Sequence, residues 1–115
     1  MRSEIVQFTG DASGTLHSPA VWSQNLFNCS LQGTFAGGTS PTGTLKLEFS
    51  NDPGNPLLKT VPTNWNDIPD ATVSVTTNAS YAIPKTDVCY QWIRITYTPS
   101  GGTGTLSANL KVLGA

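Results

Sequence analysis

Phe27-Asn-Cys-Ser-Leu-Gln-Gly-Thr-Phe35, the loop Ala36-Gly-Gly-Thr-Ser-Pro41 and Thr42-Gly-Thr-Leu-Lys-Leu-Glu-Phe-Ser50 together decide the fold class. In the first run Phe27, Cys29, Leu31 and Phe35 share one face, with Asn28, Ser30, Gln32 and Thr34 on the other. In the second, Leu45, Leu47 and Phe49 oppose Lys46 and Glu48. A period of two belongs to a strand with one buried face, because successive side chains point to opposite sides. Thr-Gly-Thr-Leu recurs at Thr103–Leu106 after the loop Pro99-Ser-Gly-Gly102, again with a cysteine upstream. The echo predicts two long β-hairpins, each turning through glycines.

The same alternation extends outward. Leu106, Ala108, Leu110 and Val112 alternate with Ser107, Asn109 and Lys111. Glu4–Thr9 opens the sheet. Leu57–Val61 reads as an irregular edge strand, since Pro56 and Pro62 bracket it and proline cannot donate to a ladder. Ala71–Thr77 alternates Val73 and Val75 with polar residues, and Ser80–Ile83 ends at Pro84. Asn51–Asp70 is the longest irregular region; its prolines make it stiff, and Trp65 is its expected anchor. No stretch has helical periodicity. The expectation is an all-β chain: one antiparallel β-sandwich domain over residues 1–115, jelly-roll-like, with seven to eight strands. A small barrel is the alternative.

Charged residues make up 11% of the chain, against about 25% in an average domain, and the net charge is −1. No basic patch gathers, so nucleic acid is not an expected partner. No run reaches the roughly 18–20 apolar residues of a membrane helix. The N-terminus lacks an apolar segment of signal-peptide type, so the chain is expected to be made and used without export. In that setting Cys29 and Cys89, both of inward parity, are expected as buried thiols. They would face each other if the two hairpins were neighbours.

The residues do not assemble a reactive centre. His17 is the only histidine, in a turn-like Thr15-Leu-His-Ser-Pro19, and reads as a surface residue. Cys29, Cys89 and His17 lack zinc-ligand spacing. Asp67 and Asp70, with Asn64 and Asn66, do not form a calcium-loop pattern and read as turn residues. Glu4 and Glu48 are the only glutamates, and Glu48 reads as part of a solvated strand face. The sequons at Asn28 and Asn78 read as chance matches. The expectation is no catalytic residue, no metal and no cofactor.

One row stands out. Beside the inward Ile93, Ile95 and Tyr97, the residues Tyr90, Trp92 and Arg94 share the opposite face. Tyr, Trp and Arg are the types most enriched at binding hot spots. The row is therefore a candidate partner-contact face, open to a protein subunit, a sugar, or cover by the chain's own Asn51–Asp70 region.

Thr42-Gly-Thr-Leu-Lys-Leu-Glu-Phe-Ser-Asn-Asp-Pro53, Asn64-Trp-Asn-Asp-Ile-Pro69, Ala71-Thr-Val-Ser-Val75 and Ile83-Pro-Lys-Thr-Asp-Val-Cys-Tyr-Gln-Trp-Ile-Arg-Ile-Thr-Tyr-Thr98, closed by Gly-Thr-Gly-Thr-Leu106, together resemble small β-sandwich virion proteins of tailed bacteriophages. The resemblance spans about Asp11 to Leu113 and rests on hairpins and turns. It implies a structural virion component, such as a head decoration (cement) protein, a spike or a tail-associated protein. It also implies assembly in the host cytoplasm, localisation to the virion, and contact with the major capsid protein or another virion protein. A homo-oligomer is expected, a trimer first, with a glycan-binding spike or tail module as the alternative.

Overall fold

The computed structural model describes residues 3–22, 26–52, 62–86 and 90–114. Nine strand segments follow in order: β1 (Ser3–Asp11), β2 (Leu16–His17), β3 (Val21–Trp22), β4 (Leu26–Ala36), β5 (Thr42–Ser50), β6 (Asn66–Val75), β7 (Ser80–Lys85), β8 (Trp92–Gly101) and β9 (Thr105–Gly114). They form two antiparallel sheets. One has the order β1-β9-β4-β7; the other runs β2-β8-β5-β6, with β3 also paired to β8. As β2 and β3 lie along the same strand, they act as one interrupted strand, giving eight positions. The chain changes sheet at every connection except β5 to β6, which is the winding of a jelly roll.

The cores of the strands follow the predicted alternation. Cys29, Leu31, Phe35, Leu45, Leu47, Leu106, Ala108, Leu110 and Val112 are all buried between the sheets, with Ile93, Ile95 and Tyr97 from β8. Each such leucine or isoleucine contributes about 1.5–3 kcal/mol over an exposed one. Phe49 is only half-buried and stacks on Tyr90 at 4.1 Å. Phe35 packs edge-on against Tyr81 and tilted against Tyr97.

The two expected hairpins are absent. β4 does not pair with β5, nor β8 with β9; β4 pairs with β9 and β5 with β8. Each glycine loop is an arch carrying the chain from one sheet to the other. The arches interlock: Thr39 Oγ1 lies 3.1 Å from Thr103 Oγ1, the Thr39 amide donates to Thr103 Oγ1, and the Thr103 amide donates to the Thr39 carbonyl. The two Thr-Gly-Thr-Leu copies need glycine for different reasons. A Cβ on Gly43 would sit 2.4 Å from the Thr98 carbonyl oxygen, whereas Gly104 has φ +154°, a conformation side chains disfavour. Local sequence cannot separate an arch from a hairpin, because both need a strand, a glycine turn and a strand.

Other differences are smaller. β6 begins at Asn66, inside the expected irregular region, and between Asp67 and Thr72 it bulges opposite β5. Asp70 there has φ 58° while Ile68 and Ala71 are buried. Pro84 lies within β7 opposite Ser30, which is permitted because β7 is an edge. The expected strand Leu57–Val61 lies outside the described residues, as does Cys89. Cys29 is a buried free thiol, and burial pushes its pKa up to about 11 against the opposing pull of Lys85.

Candidate functional site

The jelly roll leaves two outward sheet faces, and the strand registers sort their side chains into rows. On the β2-β8-β5-β6 sheet, one row runs His17, Thr96, Lys46, Thr72, and the next Arg94, Glu48, Asp67. Opposite charges face each other across neighbouring strands, the arrangement that stabilises cross-strand pairs. Arg94 Nε donates to Glu48 Oε1 at 2.9 Å, and Thr96 Oγ1 donates to the same oxygen. Lys46 Nζ bridges Asp67 Oδ1 at 2.9 Å and Glu48 Oε2 at 3.8 Å. His17 Nδ1 lies 3.0 Å from Thr96 Oγ1. Glu48 is 8% exposed and Thr96 3%. Glu48, expected on a solvated face, is thus a buried carboxylate with an arginine, a lysine and a hydroxyl around it.

The His17–Thr96–Glu48 line has the residue types of a base, a hydroxyl and an orienting acid, but not their polarity. The Thr96 proton goes to Glu48, so its oxygen accepts from His17 Nδ1–H. A hydroxyl nucleophile needs the reverse, with imidazole as acceptor. Desolvation lowers the His17 pKa, helped by Arg94 and Lys46 and opposed by Glu48.

The Tyr90, Trp92, Arg94 row is not an open contact face. Trp92 and Arg94 do point outward, as alternation requires. However, Trp92 is 5% exposed, and Tyr90 precedes β8 and stacks on Phe49. The Arg94 guanidinium lies 4.2 Å over the Trp65 ring. Trp65 therefore meets the arginine of the row from the loop before β6. The base of that loop is closed by Asp52, which accepts from the Asn64 side chain at 3.0 Å and from the Asn64 and Thr63 amides at 2.9 and 2.8 Å. These donors hold the Asp52 carboxyl down at about 2. Among the described residues no group of three or more His, Cys, Asp or Glu is placed to hold a metal.

The outward face of the β1-β9-β4-β7 sheet has different chemistry. Its rows read Thr9, Ser107, Thr34, Ser80; then Gln7, Asn109, Gln32, Ala82; then Ile5, Lys111, Ser30, Pro84. A depression of about 310 Å³ lies over the last two rows, lined by Ile5, Gln7, Ser30, Gln32, Asn109 and Lys111. Ile5 is the exposed large apolar residue of the described chain, at 59%. In the sequence these polar positions are only the solvent side of strands. Their convergence depends on β1, β9 and β4 being neighbours, which the sequence does not state.

The chain matches no family model, and no curated protein matches it. Among solved structures it superposes on the SPBc2 prophage-derived protein YomS with a TM-score of 0.55 at 10% identity, over 98% of this chain and 96% of that one. A protein from Bacillus endospore appendages, described as disulfide-linked pili, gives a TM-score of 0.48 at 16% identity over 100% and 93% of the two chains. A CBM4 structure gives 0.39 at 15% identity, over 95% of this chain and 61% of that one. The likeness to YomS is one of fold, shared over nearly the whole length of both chains.

Proposed function

We propose that the chain is a structural protein of a bacteriophage particle, acting as a decoration (cement) protein that binds the head shell as an oligomer. The observation that carries this reading is the end-to-end likeness of the sandwich to a prophage-derived protein. The sequence resemblance to virion β-sandwiches supports it. So does the use of the charged and hydroxyl groups on the β8-β5 face, which are tied to one another rather than held ready for a substrate. The reading includes no enzymatic activity and no cofactor.

A cement protein works by bridging neighbours through many copies, which calls for rigid edges and faces. Of the four outer positions, β2 and β3 share one and have two residues each, and β6 and β7 carry Pro69 and Pro84. β1, Ser3–Asp11, has nine residues and no proline, so its free edge is the best template for strand addition. A trimer requires a heterologous contact, in which β1 of one copy meets a different surface of the next.

Two measurements test the proposal. Mass in solution is expected to give a closed oligomer, and mass spectrometry of intact virions a fixed copy number. A Thr9→Lys substitution, placing a charge on the β1 edge strand, is expected to shift the oligomer toward monomer while leaving the melting temperature of the fold in place. A monomeric wild-type chain absent from virions overturns the proposal.

A further inference from the structure

The depression on the β1-β9-β4 face differs from an ordinary polar sheet surface in what its side chains are doing. In the neighbouring row Thr34 Oγ1 and Ser80 Oγ bond to each other at 2.9 Å. Gln7, Gln32, Asn109, Ser30 and Lys111 hydrogen-bond to no other described side chain, yet five strand positions on three adjacent strands converge them on one 310 Å³ space. That volume is at the lower end of about 300–1,000 Å³ for small-molecule sites. The opposite sheet face, built by the same chain, pairs its polar groups thoroughly.

We infer that this depression is a glycan-binding groove, reading a short sugar segment through the carboxamides of Gln7, Gln32 and Asn109, with Lys111 favouring an acidic sugar. The inference stands on this chain alone and does not depend on the virion reading. A carboxamide offers a donor and an acceptor side by side. A sugar presents adjacent hydroxyls, each able to donate and accept, so three aligned carboxamides match a run of hydroxyls. Ile5 supplies an apolar patch for the C–H face of a pyranose ring. The described residues that line the groove include no carboxylate, and Lys111 is the one charge among them. A sugar acid complements that charge; a phosphate-rich ligand would find only a single cation. None of the described lining residues is aromatic, so each site binds in the millimolar range, and arrays of copies gain strength through multivalency.

The test is an amide NMR titration of the isotope-labelled full chain with tetragalacturonate, tetraglucuronate, cellotetraose and chitotetraose. The side-chain NH₂ signals of Gln7, Gln32 and Asn109 are expected to move, with the uronates binding at least about threefold tighter at low salt. That preference is expected to vanish near about 0.5 M salt, where a surface charge is screened. A Gln32→Ala/Asn109→Ala variant is expected to lose about tenfold in affinity, because hydroxyls left unmatched weaken binding, with its melting temperature unchanged. A Trp65→Ala variant is expected to retain the groove signals. Three results overturn the inference. One is the absence of any shift up to about 50 mM sugar, well above millimolar affinity. Another is a shift confined to Trp65 and Tyr90. The third is movement of the groove amides with protein concentration alone, which would make a second copy the occupant.

Discussion

The two outward faces are made by one chain with one winding, yet they use polarity in opposite ways. On the β8-β5 face the polar groups are charged, partly buried and mutually bonded: Glu48 takes Arg94, Thr96 and Lys46, and Arg94 lies over Trp65. On the β9-β4 face they are amides and hydroxyls, exposed, with one ammonium among them. A buried carboxylate requires partners and holds them in place. An exposed amide requires none and remains available. The first face therefore ties its polar groups into the fold and the second leaves them available, although the first has the aromatic and arginine residues that composition alone associates with binding.

Substitution at the centre of each face is the strongest way to break this contrast. Glu48→Ala removes the shared acceptor and leaves Arg94 and Thr96 without it. The expected loss is about 3 kcal/mol, or roughly 10–15 °C in melting temperature. Gln32→Ala, at the centre of the other face, is expected to stay within about 0.5 kcal/mol. Urea unfolding of the two variants decides the matter: equal losses would remove the distinction. Glu48→Gln keeps the acceptor oxygen and is expected to fall between them.

Trp65→Ala asks how far the loop before β6 contributes to the first face. A cation–π contact is worth about 0.5–1 kcal/mol when exposed and about 2 when desolvated. Trp65 is half-buried and Arg94 is 19% exposed at its side chain, so a loss of about 1–2 kcal/mol is expected. Faster hydrogen exchange should appear along β5 and β8 and not along β9. A uniform rise across both sheets would mean that Trp65 acts on the whole domain.

Much of this architecture can be read from the sequence, and what cannot is long-range. The alternation in Cys29–Leu47 and Leu106–Val112 marks the buried side of each strand correctly, because that pattern is local. The same pattern carries no partner information, so the glycine arches read as hairpins. Glu48 read as solvated for the same reason. Arg94 and Thr96 lie far along the chain, and only the β5–β8 register brings them to it. The cover over Trp92 stayed open in the sequence because alternation assigns a side and not a degree of burial. The amide groove left no local signal, since Gln7, Gln32 and Asn109 are single polar residues on three separate strands.

Acid should act on one face before the other. The donors from Asn64 and Thr63 hold Asp52 at about 2, against 3.8 for a free aspartate. A depressed carboxylate contributes stability that is complete above the unfolded value and is lost as pH falls through the folded one. The base of the Asp52–Asn64 loop is therefore expected to loosen between about pH 4 and pH 2. The Asp52→Asn variant should lack that transition. The described residues that line the groove include no carboxylate, so amide exchange at Asn109 and Lys111 in β9 is expected to stay unchanged. Equal acid response in both sheets would show that Asp52 is not the group responsible.

The smallest expected effect belongs to His17, and it probes the edge of the charged network. Its folded pKa lies below 6.5, chiefly through desolvation and then through Arg94 and Lys46, with Glu48 opposing. The unfolded chain therefore takes up the proton more readily than the folded one. The contribution of neutral His17 is complete above the unfolded value and declines as pH falls below about 6.5 toward the folded value. His17 is exposed, so the slope is shallow. The hydrogen bond sets the local signature: neutral His17 donates from Nδ1 to Thr96, whose own proton goes to Glu48. A second proton on the ring leaves that bond intact but adds positive charge beside Arg94 and Lys46. The His17→Gln variant is expected to flatten stability just below about pH 6.5 while leaving the Asp52 transition in place. A slope that survives the substitution would assign it to another group and detach β2 from the network.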